Sequence, residues 1–115
     1  MSTRTRNRVV RTVRNNAPLF AALGDETRLT LLMKLGDGSL LSITRLTEGT
    51  SLTRQAVTKH LRVLQAAGFV RGVRQGRESL FQLERKPFTE ARDALDAISR
   101  QWDDALARLK AHVEE

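Results

Sequence analysis

The chain has 115 residues, 40% of them hydrophobic, and a net charge of +7. This length is typical of one domain, and the positive charge favours a polyanionic partner. The sequence contains no cysteine, which excludes disulfides, thiolate metal sites and thiol redox sensing. We expect a cytoplasmic protein, because there is no secretory signal and no apolar run reaches the roughly 18 residues of a membrane span.

The positive charge is concentrated in two segments. Residues 1–24 carry five arginines and no acid, and residues 51–77 carry six basic residues and no acid. The segments 25–50 and 78–115 have net charges of −1 and −3. This concentration of positive charge favours a polyanionic partner.

The chain begins with a polar stretch, residues 1–11, which predicts a flexible basic arm. Two interpretations of this arm stay open, a solvated tail and a DNA-contacting arm. A helix is predicted from Thr12 to Leu23, although Pro18 would suit a first turn better than a helix interior. The domain proper is therefore predicted to span residues 12–115.

Polar residues before apolar segments predict where the next helices begin. Asp25 is a suitable N-cap for a second helix, and Gly36 is predicted to end that helix in the left-handed conformation. Ser42 is a suitable N-cap for a short helix closed by Gly49. A tight connection then leads to Thr53, the predicted N-cap of a longer helix. Together they predict a helix-turn-helix over about 42–67.

The longer helix is predicted to be two-faced. At 100° per residue, a set of basic and polar side chains occupies an arc of about 140°, and apolar residues occupy the opposite side. These polar side chains can reach phosphates and base edges in a major groove, so we predict that they bind DNA together with the cap Thr53. We call them the recognition face: Arg54, Gln55, Thr58, Lys59 and Arg62. His60 falls in the apolar arc and is predicted to be a structural residue that is hydrogen-bonded in the core, with a phosphate contact as the alternative.

A two-stranded β-hairpin is predicted over about 69–83, with its tip at residues 74–77. Arg71, Arg74 and Arg77 of this hairpin are predicted to contact phosphates or a narrow minor groove. The competing interpretation is that an exposed hairpin is basic only for solubility.

The longest predicted helix covers about 88–113 and carries an apolar seam on one side. The seam consists of Leu95, Ile98, Trp102, Leu106, Leu109 and Val113. A domain this small has little core left after three helices and a hairpin, so the seam predicts a dimer interface. The alternative is that Trp102 belongs to the core of a monomer.

Several short runs together resemble the ArsR/SmtB family of winged helix-turn-helix repressors. They are residues 23–28 (LGDETR), 56–64 (AVTKHLRVL), 67–70 (AGFV) and 76–77 (GR). The resemblance implies a mainly α (α+β) fold and repression from a palindromic DNA operator. It also implies a homodimer joined by the first and last helices, which adds Leu19 and Phe20 to the predicted interface.

The sequence departs from the family pattern where an inducer would be sensed. It has no Cys-x-Cys, and only His112 and Glu115 echo the family's histidine-containing metal motif on the last helix. We therefore expect no metal and no other cofactor, and the inducer stays unknown. A metal-responsive repressor that uses His112, Glu115 and Asp103 or Asp104 is the alternative within the same class.

Two further function classes are alternatives to a DNA-binding regulator. A basic module that binds RNA or an acidic protein would share the composition of a DNA-binding domain. An enzyme is disfavoured, because the chain has two histidines, no cysteine and no tyrosine, and it shows no catalytic triad, phosphate-binding loop or metal-ligand spacing. The sequence therefore predicts a DNA-binding transcriptional regulator.

Overall fold

A computed structural model describes residues 3–114 of the chain. Its order of elements confirms the predicted mainly α winged helix-turn-helix. The helices and strands are α1 (Thr3–Leu23), α2 (Glu26–Lys34), β1 (Leu41–Ser42), α3 (Ile43–Thr47), α4 (Arg54–Ala66), β2 (Val70–Gln75), β3 (Glu78–Leu83) and α5 (Lys86–Glu114).

The first helix is longer than the sequence predicted. It begins at Thr3 rather than Thr12, so the described part of the predicted arm is helical. The segment from Thr3 to Asn16 contains no glycine or proline, and its arginines are good helix formers. Pro18 lies inside α1, where it removes one backbone donor without ending the helix.

The three predicted N-caps are confirmed. Asp25, Ser42 and Thr53 have extended backbones, and each side chain accepts a hydrogen bond from the backbone N–H three residues further along. The donor–acceptor distances are 3.0, 3.2 and 3.0 Å. These caps start α2, α3 and α4, so local sequence determines where each helix of the helix-turn-helix begins.

The end of α2 differs from the prediction. Gly36 does not have a positive φ, and the left-handed residue is Gly38, with φ +84°. The helix closes on Leu35, whose amide bonds to the carbonyl of Leu31, and the Gly38 amide then bonds to the carbonyl of Leu35. The extra turn moves the left-handed position two residues along the chain.

The sheet has three antiparallel strands in the order β1-β3-β2, not the two strands predicted. β1 pairs with β3 through Leu41 and Phe81. Two residues are too few to show the alternation of apolar and polar side chains by which a strand is predicted from a sequence. β2 and β3 form the predicted hairpin, and its turn is Gly76-Arg77, with Gly76 at φ +61°.

One hydrophobic core joins α1, α2, α3, α4, the sheet and the start of α5. Phe69 is fully buried at its centre, and its ring packs edge-to-face against Phe88 at a centroid distance of 4.7 Å. Leu19 also belongs to this core and is only 9% exposed. Leu19 was predicted at the dimer interface, but its side chain is buried in the core of the protomer.

The molecule is elongated, because α1 and α5 extend beyond this core. Its dimensions are 67 × 26 × 22 Å and its radius of gyration is 18.9 Å, against about 13 Å for a compact chain of this length. In α5 only Pro87, Ala91 and Ala94 are buried. Within residues 3–114, no helix combines the length and the apolar character needed to cross a bilayer.

Replacing Thr53 with Ala should destabilise the protein by about 1 kcal/mol, because the Ala56 amide loses its cap. Thr53→Ser should keep most of the wild-type stability, because serine can also accept the hydrogen bond. Ser51→Ala is the control, because Ser51 is an exposed neighbour that caps no helix. Urea denaturation at one fixed protein concentration measures the difference. An unchanged midpoint for Thr53→Ala would show that the cap does not stabilise α4.

Candidate nucleic-acid interface

The five side chains of the recognition face lie together on the outer side of α4. All are exposed or half-buried, and no acidic residue lies among them. An open depression on this surface is lined by Thr53, Gln55, Ala56, Thr58, Lys59 and Arg62. Long cationic and amide side chains around an open depression can donate to phosphates and to base edges.

Two threonine hydroxyls of this surface already hold a hydrogen bond within the protein. Thr53 Oγ1 accepts from the Ala56 amide at 3.0 Å, which leaves its own O–H free to donate. Thr58 Oγ1 donates to the carbonyl of Arg54 at 2.8 Å and can still accept. Thr53 is therefore suited to a phosphate oxygen, whereas Thr58 is suited to a donor such as a base amino group.

The opposite side of α4 is buried and orients the recognition face outward. Val57, Leu61 and Leu64 are almost fully buried, as is Leu46 of α3. Lys34 ties α2 to the end of α3, since its Nζ donates to the carbonyls of Leu46 at 3.1 Å and Glu48 at 2.7 Å. The helix-turn-helix is therefore held as one unit.

A polar cluster connects α4 to the first two helices. Arg28 Nε donates to the carbonyl of Ala22 at 2.6 Å, and its Nη1 lies 3.4 Å from His60 Nδ1. Asp25 Oδ2 lies 3.7 Å from the same nitrogen. The Arg28 amide donates to Asp25 and, with the nearby charges of Arg28 and His60, lowers the pKa of Asp25 below its usual value. His60 is 25% exposed and lies beside Arg28 and Asp25, so its neighbours are polar, whereas it was predicted to lie inside the apolar core.

The wing arginines separate into two groups. Arg74 and Arg77 are exposed at and beside the tip of the hairpin, and neither has an ion-pair partner within the described chain. Arg71 lies at the base, where it pairs with Glu84 at 3.0 Å and donates to Gln82 at 2.9 Å. Arg71 already has a carboxylate partner within the protomer, so it is a weaker candidate for DNA than the two tip arginines.

Arg45 is a further candidate that the sequence analysis missed. It lies on α3 and lines a second depression together with Arg54 and Arg77, so three arginines from three elements meet there. Glu78 also lines it, and Glu48 lies 4.0 Å from Arg45 at an exposed position. The first helix of a helix-turn-helix crosses the DNA backbone, and this general geometry could have identified Arg45.

The apolar seam of α5 lies largely outside the protomer core. Trp102 is 64% exposed, and Leu95, Leu106, Leu109 and Val113 are also exposed. Ile98 is half-buried, as is Phe20 on α1. The seam is thus available to a partner, and Trp102 is not a core residue of the monomer.

The alternative metal site is only partly covered by the structure. His112 lies on the exposed last turn of α5, and Glu115 lies outside the described residues. Among residues 3–114, no three His, Cys, Asp or Glu side chains form a group that could hold a metal ion. Asp103 and Asp104 are exposed on α5.

Comparison with known proteins identifies the family. The family model described as bacterial regulatory protein, arsR family, matches residues 25–71. The Bacillus subtilis HTH-type transcriptional regulator YuzN is 37% identical over 79 residues, which cover 64% of this chain and 86% of that protein. The Mycobacterium tuberculosis HTH-type transcriptional repressor SmtB is 32% identical over 88 residues, which cover 76% of this chain but only 63% of SmtB.

Solved structures agree with this result. An ArsR-like transcriptional regulator from Rhodococcus sp. RHA1 has a TM-score of 0.82 at 37% identity, and the match covers 91% of this chain and 95% of that one. A homodimeric winged helix-turn-helix domain from Mycobacterium bovis has a TM-score of 0.59 at 20% identity, and it shares the fold. On the strength of the two relatives at 37% identity, the chain belongs to the ArsR family of winged helix-turn-helix transcriptional regulators.

Proposed function

We propose that the protein is a homodimeric repressor that binds a palindromic DNA operator through α4 and the wing. The observation that carries this proposal is the acid-free recognition face on α4, together with the exposed wing arginines Arg74 and Arg77. Two such helices related by a dimer axis meet successive major grooves about one helical turn apart. With DNA as its partner, the protein acts in the cytoplasm, without catalysis and without an obligate metal.

Repression and dimerisation have separate support. The relative from Mycobacterium tuberculosis is a transcriptional repressor by name, and the winged helix-turn-helix domain from Mycobacterium bovis is a homodimer. The exposed seam on α5 offers this chain its own dimer surface, since a contiguous row of large apolar side chains marks an interaction site. Phe20 on α1 would complete that surface from the adjacent helix.

The test of the proposed function is DNA binding as a function of salt. A duplex is selected from a random pool by the wild-type protein, and its affinity is measured across a potassium chloride series. The logarithm of the binding constant should fall with the logarithm of salt, by about 0.9 per phosphate contact. A protein that enriches no duplex, or that prefers RNA of matched sequence, would be the RNA- or protein-binding module instead.

Substitutions on α4 and on the wing should have different effects. Arg54→Ala or Gln55→Ala should relax base preference at one or two positions, at a cost of ~1–3 kcal/mol, because a bidentate base contact is lost. Arg74→Ala or Arg77→Ala should weaken binding to all sequences by a similar factor, because phosphate contacts carry no sequence information.

The control for both sets of substitutions is Arg85→Ala, an exposed arginine outside these surfaces. Competition between the selected duplex and a scrambled duplex of equal length separates the two effects. Equal losses on both duplexes for Arg54→Ala and Gln55→Ala would contradict base recognition by α4.

Replacing Trp102 with Ala should weaken dimer association by ~2–4 kcal/mol, because a large aromatic anchor leaves the interface. The protomer should stay folded, since this side chain is 64% exposed. The monomer should keep weak, salt-sensitive DNA binding and lose operator preference, because one helix reads only a few base pairs.

Analytical ultracentrifugation of wild type and of Trp102→Ala, each paired with titration of the selected duplex, measures both effects. Arg108→Ala on the exposed polar side of α5 is the control and should remain dimeric. A wild-type monomer at micromolar concentration that still prefers the selected duplex would contradict the dimer proposal.

A further inference from the structure

The N-terminal half of α1 carries a second basic surface, remote in sequence from the helix-turn-helix. Three exposed arginines, Arg4, Arg8 and Arg11, line one depression together with Asn7. We call these three arginines the arginine face. No ion pair within residues 3–114 involves any of them, and α1 contains no acidic residue.

Their spacing does not favour the helix in isolation. Arg4 and Arg8 are four residues apart and Arg8 and Arg11 three apart, so like charges lie side by side on the helix surface. Arg4 also lies in the first turn, where the helix dipole disfavours positive charge, and that turn has no acid. A bound polyanion would reverse both effects, so the arrangement points to an external anionic partner.

The arginine face lies on the same side of α1 as the residues that enter the core. At 100° per residue, Arg4, Arg8 and Arg11 fall with Leu19 and Ala22 in an arc of about 80°. Leu19 and Ala22 are buried in the core that also includes α2 and α4. The arginines lie on that side roughly 12–22 Å further along the helix, where α1 has passed beyond the core.

We propose that the arginine face is a second phosphate-binding surface, which contacts the backbone of the DNA outside the base pairs read by α4. This inference rests on the proposed function. Duplex DNA presents about one negative charge per 1.7 Å of its axis, so it can occupy all three arginines at once. The surface supplies affinity rather than sequence preference, because phosphate contacts are the same for every sequence.

Other occupants fit this surface less well. On the other side of the same helix segment, Val9 and Val13 are half-buried and Val10 is 48% exposed. One exposed valine among arginines is too little apolar surface for insertion into a membrane. The acids on α5 of a second copy are interspersed with arginine and lysine, and the net charge of residues 86–114 is only −1. DNA offers far stronger charge complementarity than that helix.

The test compares two triple variants with equal loss of charge. Arg4→Gln/Arg8→Gln/Arg11→Gln removes the arginine face, and Arg92→Gln/Arg100→Gln/Arg108→Gln removes three exposed arginines of α5. Glutamine keeps nearly the helix propensity of arginine, and circular dichroism checks that α1 remains helical. A third variant, Arg4→Lys/Arg8→Lys/Arg11→Lys, retains the charge.

Each protein is titrated against the duplex selected by wild type, once as a core of about two helical turns and once extended by about one turn on each side. On the extended duplex, the α1 glutamine variant should bind about tenfold or more weakly, and its salt slope should shrink by about 0.9 per lost contact. On the core duplex, the difference from wild type should be smaller. The α5 variant and the lysine variant should keep the wild-type slope.

Several results would overturn the inference. The first is an unchanged salt slope for the α1 glutamine variant on the extended duplex. The second is a decrease in salt slope for the α5 variant that equals the decrease for the α1 variant. A third is a sedimentation defect of the α1 variant with normal DNA binding above its dimer dissociation constant, which would assign the arginines to the partner subunit. A fourth is loss of binding to phosphatidylserine vesicles with the DNA slope unchanged. Failure of the wild type to bind duplex DNA would refute the proposed function itself.

Discussion

The structure depends on burial of one side of α4. Val57, Leu61 and Leu64 are almost fully buried, and they pack in the same core as Leu46 of α3 and Phe69 at the start of the hairpin. Each such side chain contributes roughly 1.5–3 kcal/mol when it is removed from water, far more than any exposed ion pair. Because this side must be buried, the recognition face must point outward.

The electrostatics follow from that packing. Acids are present in the chain, but the Asp25 and Glu84 carboxylates pair with His60 and Arg71 away from the recognition face. Within residues 3–114, Arg54, Lys59 and the arginines of the wing tip form no ion pair. The two-faced sequence of α4 therefore has two consequences, because its apolar side packs into the core and its basic side stays exposed.

A small core also explains the shape of the molecule. Only the first turns of α5 contribute buried residues, so its later turns lie outside the hydrophobic core with Trp102 and its neighbours exposed. The protomer core covers only the start of this helix of 29 residues. The exposed seam gives a physical reason for a second copy, and the elongated α1 places arginines beyond the protomer core.

The sequence by itself determined the order of elements, the caps at Asp25, Ser42 and Thr53, and the two faces of α4, because these depend on local hydrogen bonds and periodicity. It did not identify β1, whose two residues form a strand only because β3 lies beside them. The polar composition of residues 1–11 also predicted a flexible arm, although α1 begins at Thr3.

Only the tertiary structure decided which predicted side chains remain available. Leu19 and Leu95 are both leucines on amphipathic helices, yet the first is buried in the protomer and the second is exposed, since only one lies where the core closes. Arg71 and Arg74 lie three residues apart on β2, yet within residues 3–114 only Arg71 pairs with a carboxylate. Arg45 joins Arg54 and Arg77 through the packing of three elements, and no local pattern contains that proximity.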